Sequence, residues 1–298
     1  EPSIDVWAMD VARFGDYASP QYGTIKSSEN YERRFIMTFP NETLPKGRKQ
    51  KTTALYDRFV NQGAVMGDSF GLENVLWFAN NKEDAHEEPT IKRSRSHDYV
   101  SKEVINVREN VGLIEVANFS KHEFKGPDAR KFLDHIMAGR LPKPGRISLS
   151  PMLSYRGKLC GDLTVACLDE NEFMVFGSGA AQEMHRRWFE SHLDKFNLSY
   201  SNRSDEYHGL SIAGPNSRKV LEKIVRDDVS NEKFKFRDSR RMFVGGVPAI
   251  INRISFTGEL GYEIYVAPHY QLKLYEELME AGKEFNIKPF GGRALMSM

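Results

Sequence analysis

GPDARKFLDHI at residues 126–136 returns as GPNSRKVLEKI at residues 214–224. In each copy the glycine ends a strand-like run and can serve as N-cap. The proline suits the first helical turn, where its missing N–H would have no partner in any case. Phe132, Leu133 and Ile136 in one copy, and Val220, Leu221 and Ile224 in the other, recur at i, i+1 and i+4 and form one apolar helix face. Strand-like runs precede both copies, at residues 113–119 and 210–213. The spacing predicts a duplicated strand–turn–helix unit in an α+β fold.

Between the copies, residues 152–179 (MLSYRGKLCGDLTVACLDENEFMVFGSG) hold turn signals at 155–158 and 169–172. Alternating Leu159, Gly161, Leu163 and Val165 read as a strand, which puts Asp162 on its other face. Beyond the second copy, strands are expected at 249–256 and 262–266, joined by the turn Thr257-Gly258-Glu259-Leu260-Gly261, and a helix is expected over 269–285.

Working outward, the chain divides into three zones. Residues 1–79 are aromatic and basic, residues 80–98 (NNKEDAHEEPTIKRSRSHD) are almost wholly polar, and strands and helices alternate over 99–298. The polar run cannot bury enough apolar area to order itself and reads as a linker or an exposed crossing. With 40% hydrophobic residues and 298 residues in all, there is material for a core and for about two domains of roughly 150 residues each. The net charge of +1 places nucleic acid and anionic membranes low among partners. No apolar run approaches the roughly 18 residues a membrane span needs, so a soluble protein is expected. Glu1 at the start and Met298 inside a helical pattern point to a fragment of a longer protein.

Common catalytic patterns are missing. The eight histidines show no HxxxH or HExxH spacing, and Cys160 and Cys167 make no CxxC pair, so no metal site is expected. No P-loop, GxSxG elbow or helix-opening GxGxxG is present. Two carboxylates stand out instead. Asp162 lies among Cys160, Leu163, Val165 and Ala166, and Glu263 lies in FTGELGYEIY. An acid inside a core strand costs several kcal/mol unless it finds a partner, which makes both candidates for function, with outward-facing structural carboxylates as the alternative.

The run GPNSR (214–218) followed by RISFTGELGYEIY (253–265) resembles the folate-binding aminomethyltransferase family of the glycine cleavage system. The fit is closer to the C-terminal half of the dimethylglycine and sarcosine dehydrogenases, in which a flavin-dependent amine oxidase portion is fused to this folate module. DVARFG (10–15), ENYERR (29–34), GAVMG (63–67), GLENVLWF (71–78) and FSKHEFKGPDA (119–129) are similar to the segment joining the two portions.

The resemblance implies a fold and a site. Residues 1–79 would be the connecting segment of the FAD-dependent portion, 80–98 a linker, and 99–298 the folate-binding domain with its C-terminal barrel missing. Asp162 falls where the family keeps its catalytic carboxylate. Glu263 falls where a carboxylate hydrogen-bonds the pterin ring, and Arg253, Thr257, Gly258 and Tyr262 accompany it as folate-binding positions. Phe256 stands where the family often carries Tyr, which keeps the ring and loses a hydroxyl. The Arg by which the family helps hold the pterin or its tail lies just past the helix matched by ALMSM (294–298), beyond this chain. Tetrahydrofolate is the implied cofactor, with FAD bound by a domain outside the chain. The expected activity is capture, on tetrahydrofolate, of the one-carbon unit released from an N-methylated amine. A free-standing aminomethyltransferase and a non-catalytic folate-binding module are the alternatives. The implied compartment is the bacterial cytoplasm or the mitochondrial matrix.

Overall fold

Residues 6–40 and 42–298 are described by a computed structural model. An N-terminal arm carries helix α1 (Pro20–Glu32), whose N-cap Ser19 accepts a hydrogen bond from the Tyr22 amide at 3.2 Å. Helix α2 (Tyr56–Asn61) and the hairpin β1 (Ala64–Ser69) and β2 (Leu72–Phe78) follow, then α3 (Ser96–Glu109), β3 (Val111–Glu115) and β4 (Phe119–Lys125). The first repeat continues through α4 (Ala129–Ile136), β5 (Arg146–Leu153), β6 (Leu159–Asp169) and β7 (Glu172–Ser178). Helix α5 (Gln182–Glu190) and β8 (Ser199–Asn202) lead to the second: β9 (His208–Ala213), α6 (Ser217–Ile224), β10 (Ser239–Val244), β11 (Val247–Asn252) and β12 (Gly261–Val266). Helix α7 (Gln271–Ala281), β13 (Ile287–Pro289) and α8 (Gly292–Ser297) complete the described chain.

The duplication extends well past the quoted repeat. One sheet runs β5-β6-β7-β4-β8 and the other β10-β11-β12-β9-β3-β13. Each unit is thus strand–helix–three strands, with the first strand closing the sheet beside the last. Local hydrogen bonds repeat as well. Asp128 N reaches Asn197 O at 3.2 Å, and Asn216 N reaches Asn110 O at 3.1 Å. Gly126 and Gly214 adopt φ of 135° and 130°, and a Cβ at either would lie within 3 Å of neighbouring main chain. Only glycine fits such a turn. One trade breaks the independence of the units: β3, just ahead of unit one, pairs with β9 of unit two, and β8, just ahead of unit two, pairs with β4 of unit one.

Three apolar cores follow from strand alternation. Phe132, Leu133 and Phe189 pack α4 and α5 on the outer face of the five-stranded sheet. Val220, Leu221, Leu274, Leu278 and Phe59 cover the outer face of the six-stranded sheet. The inner faces meet through Ile147, Met174, Phe176, Ile250 and Tyr265, with Trp77 of the hairpin in the same cluster. Each such side chain, fully buried, contributes about 1.5–3 kcal/mol.

Several boundaries differ from the sequence reading. The run 113–119 is not one strand but the end of β3, a turn and the start of β4, because the Ala117 carbonyl is taken by Lys121 Nζ at 2.7 Å rather than by a ladder partner. The helix N-caps are Asp128 and Asn216, not the glycines, which form the preceding turn. The strand expected over 249–256 stops at Asn252, so Phe256 lies in a loop. Residues 96–98 of the polar run already belong to α3, and the helix expected over 269–285 is regular only over 271–281.

Candidate functional site

A cavity of about 400 Å³ opens between the two sheets. Leu149, Asp162 and Thr164 line it from the five-stranded sheet together with Phe176 of β7, Glu263 lines it from the other sheet, and Ile254, Ser255 and Phe256 of the 253–260 loop close one side. Three sequence candidates, Asp162, Phe256 and Glu263, therefore meet in one place.

The two carboxylates have opposite surroundings. Asp162 stands opposite Pro151 in the ladder and is solvent-exposed. The expectation that it pays for burial in a core strand does not hold: Leu163 and Val165 enter the core, while Asp162 is near the strand's open end. Glu263 does fit that expectation. It is 8% exposed, and burial pushes its carboxyl up to about 7, against the pull of a Tyr265 hydrogen bond and the Lys121 ammonium. Tyr265 Oη donates to Glu263 Oε2 at 2.9 Å.

Tyr265 is itself clamped. Phe176 stacks on it with ring centroids 4.6 Å apart, and Lys121 Nζ lies 5.9 Å from its ring centre. Lys121 is fully buried, and that burial brings its ammonium down to about 7. Glu115, which accepts from the Gln271 side-chain amide, is likewise pushed up to about 7 by burial. Behind the cavity thus lies a set of ionisable groups poised near neutrality.

The other candidates sit around the cavity rather than in its wall. Arg253 is buried and donates to the Phe234 carbonyl and to Asn231 Oδ1, the latter at 2.6 Å. Thr257 and Ser255 share a hydroxyl hydrogen bond of 2.7 Å, and Thr257 Oγ1 accepts from the Glu259 amide. Gly258 supplies φ +78° at the loop tip. Tyr262 points to the outer face, stacked on Phe234 at 5.9 Å, with its hydroxyl accepting from Arg218 Nε at 3.1 Å. Arg253, Thr257 and Gly258 shape the loop that carries Phe256, whereas Tyr262, expected at the folate, lies in the core on the opposite face of β12 from Glu263.

Sequence reasoning passed over Leu149, Thr164, Phe176, Lys121 and Tyr265. Strand alternation could have found two of them: with β4 starting at Phe119, Lys121 falls on the inner face, and Tyr265 shares the face of Glu263. Among the described residues no group of three or more His, Cys, Asp or Glu is placed to hold a metal ion. No helix there is long and apolar enough to cross a membrane.

Comparison with known proteins adds a family context. The family model described as GCVT N-terminal domain matches residues 55–298, and the one described as FAD dependent oxidoreductase central domain matches residues 1–53. Mitochondrial dimethylglycine dehydrogenases of Mus musculus and Homo sapiens are 33% identical over 302 residues, covering all of this chain but only 34% and 35% of those proteins. The chain therefore spans about a third of the length of these relatives. An aminomethyltransferase of Thermoanaerobacter pseudethanolicus is 30% identical over 188 residues, 62% of this chain and 50% of that one. The crystal structure of the glycine cleavage system aminomethyltransferase T from Bartonella henselae superposes with a TM-score of 0.67 at 22% identity, covering 82% of this chain and 60% of that chain. It shares the fold.

Proposed function

The chain belongs to the GCVT N-terminal domain family and carries an FAD dependent oxidoreductase central segment ahead of that domain; from that premise we propose that it is the folate-dependent one-carbon transfer half of an FAD-linked demethylating dehydrogenase. The substrate class is an N-methylated amine of the dimethylglycine or sarcosine type. One juxtaposition carries the reading: exposed Asp162 and buried Glu263, on opposite sheets, face the same cavity.

The residues present fit a reduced folate. A pterin edge offers N–H and amino donors, and Glu263 is an acceptor fixed in place by Tyr265. Asn252, paired opposite Glu263 on β11 and fully buried, has an Nδ2 without a hydrogen-bond partner among the described residues, a spare donor beside the carboxylate. Phe176, Leu149 and Phe256 offer apolar surface for a flat ring. Tetrahydrofolate, when bound, supplies a nucleophilic ring nitrogen that captures the one-carbon unit. Asp162, exposed and lining the same cavity, takes the proton lost from that nitrogen, and its charge favours nearby cationic species.

The chain has no dinucleotide-binding fingerprint, so none of its residues is assigned to FAD. In this reading residues 1–79 connect to the FAD-binding part of a longer parent, 80–98 form an exposed crossing, and 99–298 hold the folate. The match of residues 1–53 to the oxidoreductase central domain favours this over a free-standing aminomethyltransferase. Mitochondrial relatives support the matrix as its compartment in a eukaryote, with the cytoplasm the bacterial counterpart.

Calorimetric titration of the chain with tetrahydrofolate tests the assignment. Saturable one-to-one binding is expected, and Glu263→Ala should weaken it by about 10- to 100-fold while the circular dichroism spectrum is retained. Absence of binding, or binding that ignores Glu263, overturns it.

A further inference from the structure

The cavity continues past Asp162. A second hollow of about 420 Å³ shares Leu149, Thr164, Ile254 and Ser255 with the first and runs out to Phe236 and Arg237. The joined groove changes character along its length. Glu263 and Asp162 offer acceptors in the first part. Large apolar side chains from three separate segments follow: Leu149 at 65% exposure, Phe256 at 63% and Phe236 at 63%. Single exposed apolar residues are ordinary, but three converging on one groove mark a surface shaped for an apolar occupant.

At the far end stands Arg237, in a conformation that arginine rarely adopts. Its φ is +68°, in the left-handed region that costs a β-carbon-bearing residue about 1–2 kcal/mol. Three hydrogen bonds hold it there: its amide to Arg253 O at 3.0 Å, its carbonyl from Ile147 N at 2.9 Å, and its own Nε to Ile147 O at 3.0 Å. The neighbouring carboxylate, Asp238, is already engaged by Arg146 and Arg240. Arg237 has no carboxylate partner among the described residues, so its guanidinium charge at the groove end is uncompensated.

Acceptors, an apolar stretch and a cation in succession fit one class of molecule: a donor-bearing ring, an aromatic spacer and an anionic tail. We propose that Arg237 is the anion subsite of this groove, taking the carboxylate tail of the same ligand whose ring lies at Glu263. The subsite rests on the folate reading and adds to it a direction, ring inward and tail toward Arg237.

Ligands with and without the tail separate the two ideas. Tetrahydropterin, which has the ring alone, and tetrahydrofolate, which adds the aminobenzoyl-glutamate, are titrated calorimetrically into wild type, Arg237→Asn and Arg237→Lys. Asparagine tolerates positive φ, so the loop keeps its shape while the charge is lost. Arg237→Asn should weaken tetrahydrofolate about two- to fivefold, the range for an exposed charge-assisted contact, and leave tetrahydropterin unchanged. Arg237→Lys should restore part of the loss. Wild-type affinity for tetrahydrofolate should fall with added salt, and more steeply than in Arg237→Asn. Equal weakening of both ligands makes Arg237 a structural residue and overturns the subsite, as does no weakening of either. If neither ligand binds wild type, the folate reading fails and takes the subsite with it.

Discussion

The two units share their strand order and register but not their chemistry. Lys121 pairs with Phe176 in unit one, and Gly209, at the same offset from its turn glycine, pairs with Tyr265 in unit two. By that register Thr164 corresponds to Ile250, Asp162 to Pro248, Leu149 to Arg241 and Met174 to Glu263. Phe176 and Tyr265, each the other's equivalent, stack where the sheets meet. Each unit thus supplies one carboxylate at a place where its counterpart has a residue unable to ionise. Unit one gives an exposed acid at a strand end, suited to moving a proton. Unit two gives a buried acid in mid-strand, suited to holding a ring. Duplication provides the frame, and divergence at a few positions makes one composite site.

The largest expected break in this division comes from Asp162. On the proposed function, Asp162→Ala in a protein that joins this chain to an FAD-binding part should cut one-carbon transfer to folate by about 10²–10⁴-fold while amine oxidation continues and formaldehyde is released. Assaying both products in one reaction checks this, and a collapse of oxidation itself would remove Asp162 from the transfer step.

Glu263→Met makes unit two resemble unit one and should act in two directions. Ligand affinity should fall by about 10- to 100-fold, the worth of hydrogen bonds to a charged acceptor. Stability of the ligand-free protein should rise by roughly 2–4 kcal/mol at pH 8, because a carboxylate costly to ionise is gone. The pH dependence follows from the same group. Glu263 loses its proton near 4.5 in the unfolded chain and near 7 in the folded one. Between those values the folded state holds the extra proton, so stability falls as pH rises through the window. Lys121 acts above it: charged up to about 10.5 when unfolded but only to about 7 when folded, it returns stability as pH climbs from 7. Urea melts of wild type should show this group's contribution lowest near neutrality, and Glu263→Met should flatten the acid side.

The shared frame should give matched responses. Gly126→Ala and Gly214→Ala each force a β-carbon into main chain at φ near +130° and should each cost about 1–3 kcal/mol. Chemical denaturation that shows one tolerated and the other not would deny the turns a common role. The smallest effect is expected at Phe243, 65% exposed on unit two. Phe243→Ser should change stability by less than about 0.5 kcal/mol and leave tetrahydrofolate binding unaltered, a control for the rim residues.

The repeat was legible because a helix face and a turn glycine are written in local spacing: Phe132 with Ile136, and Val220 with Ile224. Asp162 and Glu263 were legible as acids in apolar strands, but their exposure was not, since it depends on where a strand ends against its sheet. The long loop that carries Phe256 was read as strand because Arg253, Ile254 and Ser255 continue the alternation. Its course is set by Arg253 reaching Phe234 and Asn231, a contact across some twenty residues. Lys121 was invisible as a site residue for a similar reason. Its closeness to Tyr265 comes from the stacking of two sheets, which neither strand encodes alone.

The traded strands β3 and β8 carry a consequence for how the chain comes together. A unit released from its neighbour would lose the strand beside its first strand and expose the ladder edge of β4 or β9. Neither half is therefore an autonomous folding module, even though the sequence repeats. Both must close at once, through contacts distant in sequence, which makes for slow but all-or-none assembly. A cavity assembled this way should not open half-formed, with Asp162 present and Glu263 absent, as a populated state.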